Sequence, residues 1–165
     1  QYLTRLGLAL GDPESLQTAK AEWLSAPMWQ SLRNYAEDTF VMKDWFELFV
    51  AQNFVLDGLL YPLVYQQIDR VFDEQAGPGI SLMTRFQDAW FDETKRWVDS
   101  CMKLAAAESP ENKALLTTWI SHWRERAVSA LRPIAELALG DNAESILDPL
   151  QAGLAERAAK CGLSV

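Results

Sequence analysis

The stretch 44–69, DWFELFVAQNFVLDGLLYPLVYQQID, is apolar on nearly every face of a helix, yet Glu47, Gln52, Asn53 and Asp57 are set into it. A surface helix would show one apolar stripe and one polar face. A membrane span would not carry four such groups without neighbours to satisfy them. The reading that remains is a central helix of a large helical core with a few buried polar side chains. Buried carboxylates are costly unless they are paired or bound to a metal, so Glu47 and Asp57 pose the question of a metal site.

The rest of the chain answers against one. A carboxylate-bridged diiron site in a helical bundle needs paired Glu-x-x-His motifs and two further carboxylates, all pointing inward. This chain has one histidine, His122, and Trp119 stands three residues before it. Cys101 and Cys161 are too far apart in sequence for a zinc spacing. No part of the sequence closes a metal site alone. His122 also lacks a visible nucleophile partner, so a packed or hydrogen-bonded surface position is favoured over catalysis. For Asp57, a structural carboxylate paired with an arginine or the backbone is favoured over a residual ligand, and Asn53, four residues earlier, is a same-face hydrogen-bond candidate. Glu47 is likewise read as structural. Cys101, on an apolar stripe, reads as core.

With 165 residues the chain can build one domain with a real core, and 1–165 is taken as a single helical domain. Seven tryptophans and seven phenylalanines are many for that size, which suggests packing against partners as well as within the chain. A net charge of −8 argues against nucleic acid. Two cysteines without a disulfide framework fit a reducing compartment, so a cytoplasmic location is expected, with no signal peptide and no transmembrane segment. The opening YLTRLGLALG reads as the end of an amphipathic helix, and with no initiator Met the chain is expected to be a fragment of a longer polypeptide.

The spacing predicts helix after helix. Gly11-Asp12-Pro13 stops the first, and Asp12 with Pro13 starts a second through about Leu24. Pro27 opens a long helical region through Glu74, bent or unwound near Gly58 and Pro62. Gly77-Pro78-Gly79 is a break. From Ser81 to Ala107, Met83, Phe86, Trp90, Trp97, Cys101 and Leu104 recur at helical steps and are expected to face the core, with the missing rung at Glu93 or Thr94. Ser109-Pro110 starts a helix through about Leu139, with a stripe at Leu116, Trp119, Trp123, Ala127, Leu131 and Ile134, and Pro133 is a candidate kink. A last helix is expected after Asp148-Pro149. There is no strand alternation.

DWFELFVAQNFVLDGLLYPLVYQQIDR, the spacing to RFQDAWFDETKRWVDS, and ESPENKALLTTWISHW resemble the β subunit of bacterial multicomponent monooxygenase hydroxylases. Within that family the QN-hydrophobic-x-D-G-x-x-YPLVY wording is most similar to the phenol hydroxylase branch. The resemblance covers almost the whole chain but only the C-terminal half of such a subunit. It implies a ferritin-like bundle of long antiparallel helices without its own metal, in a hydroxylase with two copies each of α, β and γ. The α subunit would hold the diiron centre, a reductase would bring electrons from NADH, and a small regulatory protein would act on the complex. Carried residue by residue, Asp57 stands at one ligand position, Thr94 replaces a ligand Glu, and Trp97 replaces a ligand His and is expected to fill the former cavity. No catalytic, cofactor or metal residue is then expected in this chain. Trp23 and Trp29, then Trp119 and Trp123, are the expected subunit-interface candidates. Two other classes stay open: a metal-free helical module binding an aromatic ligand, and an enzyme using buried carboxylates alone. A third possibility within the family is the equivalent subunit of a toluene or other hydrocarbon monooxygenase.

Overall fold

The computed structural model describes residues 13–165 together with Arg5, Leu8, Ala9 and Gly11. Of the expected first helix, Arg5, Leu8 and Ala9 are described and helical, with Gly11 following at φ +74°, and the Asp12 cap lies outside the described residues. Six helical rods follow in chain order: α1 (Pro13–Ser25), α2 (Pro27–Phe40), α3 (Trp45–Ala76), α4 (Gly79–Glu108), α5 (Pro110–Leu139) and α6 (Ala143–Lys160). No strand occurs among the described residues.

Local chemistry explains most boundaries. Pro27 occupies the first turn of α2, where its missing N–H costs nothing. Asp44 caps α3, its Oδ1 accepting from the Phe46 and Glu47 amides at 2.8 and 3.4 Å. The helical region expected from Pro27 to Glu74 is two helices, separated at residues 41–44, because the Asp44 carboxylate captures amides that a continuous helix would need. Gly77, at φ +81°, ends α3 in a conformation that a side chain would strain. Ser109 caps α5 by accepting from the Asn112 amide at 3.1 Å. The last helix starts earlier than expected, at Ala143, after a short 3₁₀ turn Gly140–Asn142, and carries Pro149 inside it. Gly140, at φ +56°, supplies the break that had been assigned to Asp148-Pro149. Pro133 likewise lies within α5 without ending it.

The rod α3 is not uniformly α-helical. Val50–Leu56 and Leu63–Ile68 are wound as π-helix, flanking an α-helical segment Asp57–Pro62. Pro62 lacks the N–H that would close an α-turn to Gly58, and the wider winding on either side of 57–62 accommodates that gap. By length and composition Trp45–Ala76 is long and apolar enough to cross a membrane. In the fold, however, its residues Val50, Ala51, Phe54, Val55, Leu59 and Leu63 are fully enclosed by other helices. They pack with Ile120, Trp123, Ala127 and Leu131 of α5 and Leu147, Leu154 and Ala158 of α6 in one core.

Helices α3 and α4 run antiparallel as neighbours. The contacts read down the pair: Phe49 on Trp97, Tyr61 on Phe91, Gln66 bonded to Asp88, and Thr84 donating to the buried Asp69 carboxylate. The stripe expected to face the core on α4 faces the other way. Phe91, Val98, Met102 and Ala106 are buried, whereas Phe86, Trp90 and Leu104 are exposed and Trp97 is 60% exposed. This helix is apolar on two faces, and periodicity identifies a stripe without saying which of two stripes packs inward. The expectation that Trp97 fills an interior cavity is overturned in this chain.

On α5 the expected stripe is the buried one, and Trp123 is its centre. It is 3% exposed, its indole meets Tyr35 edge-on at 5.0 Å, and its Nε1 donates to Glu47 Oε1 at 3.0 Å. Trp123 thus leaves the set of interface candidates, because a buried indole with its N–H satisfied has nothing left to offer a partner. The same bond accounts for Glu47 as a structural acceptor. Replacing Trp123 with Ala should cost about 3–5 kcal/mol in urea denaturation, as for other enclosed aromatics. Trp97→Ala should cost less than about 1 kcal/mol in the same measurement, since its ring is already largely in water.

Candidate functional site

Asp57 sits at the start of the short α-helical segment between the two π-wound stretches of α3, half-buried. Burial pushes its carboxyl up to about 6, against the opposing pull of the Asn53 side chain, which hydrogen-bonds it, and of the Arg157 guanidinium. Asn53 is thus the partner that the i, i+4 spacing suggested. The guanidinium is the residue that sequence reasoning missed.

Arg157 reaches in from α6, with its side chain only 7% exposed. Its Nε donates to Asp99 Oδ1 at 2.6 Å and its Nη1 to the Phe54 carbonyl at 3.0 Å, while the guanidinium lies over the Phe54 ring at 4.3 Å. Gly58 makes the approach possible: a Cβ there would meet Arg157 Nη1 at 2.9 Å and Leu154 Cδ1 at 3.2 Å. Asp99 also holds Cys161, whose Sγ donates to the Asp99 carbonyl at 3.7 Å, and burial pushes that thiol up. On the opposite side of α3, Tyr35 from α2 donates to the Ala51 carbonyl at 2.7 Å, and burial pushes its phenol well above the ordinary range. Tyr61, one turn after Asp57, is pushed up to about 12 by burial and by the neighbouring carboxylate.

These residues do not fit a metal ion. Burial favours the neutral form of Asp57, which stands near the Arg157 guanidinium. Thr94 is half-buried on the α4 face, and Trp97, whose indole N–H has no lone pair for a metal, points outward. No group of three or more His, Cys, Asp or Glu side chains converges among the described residues. The cavity beside the cluster, lined by Gly58, Pro62, Lys95, Leu154 and Arg157, measures about 130 Å³. That is too small for an aromatic substrate, since small-molecule pockets run to roughly 300–1,000 Å³. His122 is exposed, edge-on to Trp123 at 5.1 Å, and outside any such cluster.

The remaining chemistry lies on the surface. Trp23 and Trp29 meet at 6.1 Å beside the α1–α2 junction, the first 38% exposed and the second half-buried. Trp119 is half-buried and lines a cleft of about 390 Å³ with Trp45, Phe46 and Leu116. Sequence reasoning did not single out Trp45 and placed Trp90 on a core stripe, yet both are more exposed than Trp23. The outward setting of Trp90 had a signal, namely a second apolar stripe on α4, but nothing in the sequence alone assigns either stripe to solvent.

Two substitutions test the cluster. Gly58→Ala inside a helix would ordinarily stabilise by up to about 1 kcal/mol. Here it should destabilise by about 1–2 kcal/mol by pushing on a pinned guanidinium, and the penalty should vanish in an Arg157→Ala background, read as a double-mutant cycle by chemical denaturation. For Asp57 the folded chain holds the proton more tightly than the unfolded chain does. The stability this contributes is complete below about pH 4 and is lost as pH rises through about 6. Asp57→Asn should therefore flatten the stability–pH curve between those values and raise stability at pH 8 by about 1 kcal/mol, measured by thermal melts across pH.

The comparisons with known proteins agree with this fold. The profile of the Methane/Phenol/Alkene Hydroxylase family matches residues 1–109. The chain is 47% identical over 165 residues to the phenol 2-monooxygenase oxygenase component DmpL of Pseudomonas sp. strain CF600, covering 99% of this chain and 49% of that protein. It is 38% identical to the MhpL oxygenase component of Acinetobacter pittii, again over 99% of this chain and 49% of that protein. It is 27% identical, over 72% of this chain and 36% of that protein, to the hydroxylase component subunit beta of the toluene-4-monooxygenase system of Ectopseudomonas mendocina. Among solved structures, the xenon-pressurized phenol hydroxylase from Pseudomonas sp. OX1 superposes with a TM-score of 0.91 at 40% identity, over 100% of this chain and 50% of that one. The chain spans about half the length of the curated relatives it matches, and it belongs to the methane, phenol and alkene hydroxylase family, with a ferritin-like helical fold.

Proposed function

We propose that this chain is a non-catalytic subunit, of β type and matching its C-terminal half, in the oxygenase component of a multicomponent phenol hydroxylase. The observation that carries the reading is the chain's match to phenol 2-monooxygenase oxygenase components, and beside it the setting of Asp57, the one ligand-like carboxylate, which is buried next to Arg157, a guanidinium bonded to Asp99 and to the Phe54 carbonyl. Identity to two phenol 2-monooxygenase oxygenase components supports the phenol branch over the toluene and propane branches, which match at 26–28%.

In this reading an α subunit holds the diiron centre, which supplies activation of O₂ for hydroxylating phenol or a related arene. A γ subunit, a second αβγ protomer, an NADH-dependent reductase and a small regulatory protein complete a cytoplasmic system. What this chain contributes is a rigid helical wall. Arg157 and Asp99 tie α6 to α3 and α4, Glu47 and Trp123 tie α3 to α5, and the aromatic side chains on the outside are available to partners. Nothing in this role needs a side chain of this chain to touch substrate.

Reconstitution tests it. The oxygenase component assembled with this subunit should consume phenol with NADH oxidation, this chain alone should show no turnover, and metal analysis of the isolated chain should give no stoichiometric iron. His122→Ala should leave the activity of the complex nearly intact. Full activity of the remaining subunits without this chain would overturn the reading, as would near-stoichiometric iron that chelators do not remove.

The cleft framed by Trp45, Phe46 and Trp119 favours the alternative of a module that binds an aromatic ligand. That reading requires saturable quenching of tryptophan emission by phenol in the isolated chain, lost in Trp119→Ala.

A further inference from the structure

We propose that the cleft between the start of α3, the end of α4 and the first turns of α5 is a binding site for a guanidinium group, and that its occupant is an arginine side chain on a partner polypeptide. The proposal uses nothing of the subunit reading above, so either can fail without the other.

The cleft measures about 390 Å³, within the range of small-ligand sites. Trp45 and Phe46 of α3 and Trp119 of α5 supply aromatic walls. Trp45 is 74% exposed, yet its ring is set edge-on to Phe46 at 5.1 Å, and Phe46 lies against Phe49 at 5.4 Å. A ring supported in this way loses little freedom when a ligand stacks on it. The face of an indole also attracts a cation more strongly than any other side-chain ring does.

The rim supplies negative charge. Asp44 and Glu108 line the cleft, and among the described residues no Lys, Arg or His does. Both carboxylates are held by bonds that leave one oxygen over. Asp44 spends Oδ1 on the Phe46 and Glu47 amides, and its Oδ2 accepts from no described residue. Asn112 Nδ2 donates to Glu108 Oε2 at 3.0 Å and leaves Oε1 in the same position. Neither carboxylate has an ion-pair partner among the described residues. Lys43 and Lys113 adjoin lining residues in sequence, but neither lines the cleft or enters such a pair. Glu108 is also the last residue of α4, the helix end at which the backbone dipole favours a cation. The amide ends of α3 and α5 oppose this, but Asp44 and Ser109 cap them.

These features together select the cation. A neutral arene would use the rings and leave both carboxylates idle. A quaternary ammonium would use rings and charge but brings no N–H to the spare oxygens. A lysine ammonium donates, but it is compact and strongly hydrated, so stacking on an indole costs it more. A guanidinium stacks flat on an aromatic face and directs its N–H groups in plane toward carboxylates. Arginine is the side chain that carries it, and a net charge of −8 on this chain favours the approach of a basic segment.

The test follows the indole N–H signals of the 165-residue chain by NMR while N-acetyl-arginine methylamide is added. The signals of Trp45 and Trp119 should shift saturably, with a Kd on the order of 1 mM at low salt, while that of the enclosed Trp123 stays in place. Glu108→Gln should weaken binding about tenfold and Trp45→Ala about fivefold. Both positions are exposed, so both variants should keep the helical content of the parent chain. The lysine counterpart and tetramethylammonium should each bind at least about fivefold more weakly. A blocked Gly-Arg-Gly peptide should bind as well as the capped amino acid. Exclusion of that peptide, equal binding by either other cation, no saturable shift, or affinity unchanged in both variants would each overturn the proposal. Phenol binding that is tighter than that of the arginine compound and indifferent to Glu108→Gln would overturn it in favour of the aromatic-ligand alternative.

Discussion

Much of this fold converges on one buried guanidinium. Arg157 joins three helices with two hydrogen bonds and a ring contact: to Asp99 on α4, to the Phe54 carbonyl on α3 and over the Phe54 ring. A buried cation is costly unless it is paired. Asp99 answers the charge and a carbonyl in the π-wound part of α3 answers a donor, while Nη2 has no hydrogen-bond partner among the described residues. Each of these residues therefore depends on the others. Gly58 is needed so that the guanidinium can come within reach, and Asp57 keeps its place although burial makes ionisation there costly. Burial there favours the neutral carboxyl of Asp57, and the nearby guanidinium offsets only part of that cost.

That arrangement decides what the interior can do. With Arg157 bonded across three helices and the adjacent cavity holding little more than a few waters, the centre of the bundle is a brace. The brace in turn orients the α3–α4 pair, one side of which packs on α5 and α6 while the other carries aromatic rings into solvent. The same two helices thus secure stability on one face and leave the other apolar and open. The Glu47–Trp123 bond secures the inner face, and Phe49 and Tyr61 support the tryptophans of the outer one.

Much of this was legible before the structure. The all-helical class, the cap at Ser109, the break at Gly77 and the inward stripe of α5 follow from local chemistry that acts within a turn or two. The polar residues set into α3 correctly marked it as central. What could not be read is long-range. Glu47 and Trp123 are 76 residues apart, and Arg157 and Phe54 are 103 apart, so neither pairing has a sequence signal. The π-winding also has no signature beyond the proline and glycine near it. On α4 the periodicity was right and its polarity wrong, because Phe91, Val98 and Met102 form a quieter stripe than the tryptophans opposite them. Large aromatics draw the eye as core, and here the smaller side chains took it.

The contrast between Trp123 and Trp97 carries the final step. Both are single indoles on long helices, and spacing placed both on an inward stripe, rightly for Trp123 and wrongly for Trp97. Trp123 has its N–H satisfied, its ring against Tyr35 and a guanidinium, that of Arg126, over its face at 4.6 Å. Its contribution is complete within this chain. Trp97 has one edge contact and the rest of its surface in water. An indole of that size in solvent gives up most of the free energy its burial would release, roughly 25 cal/mol per Å² of apolar area. The same holds for Trp45, Trp90, Phe86 and Leu104, all more than half exposed. A polypeptide with its stability secured by the inner face can leave that free energy unspent.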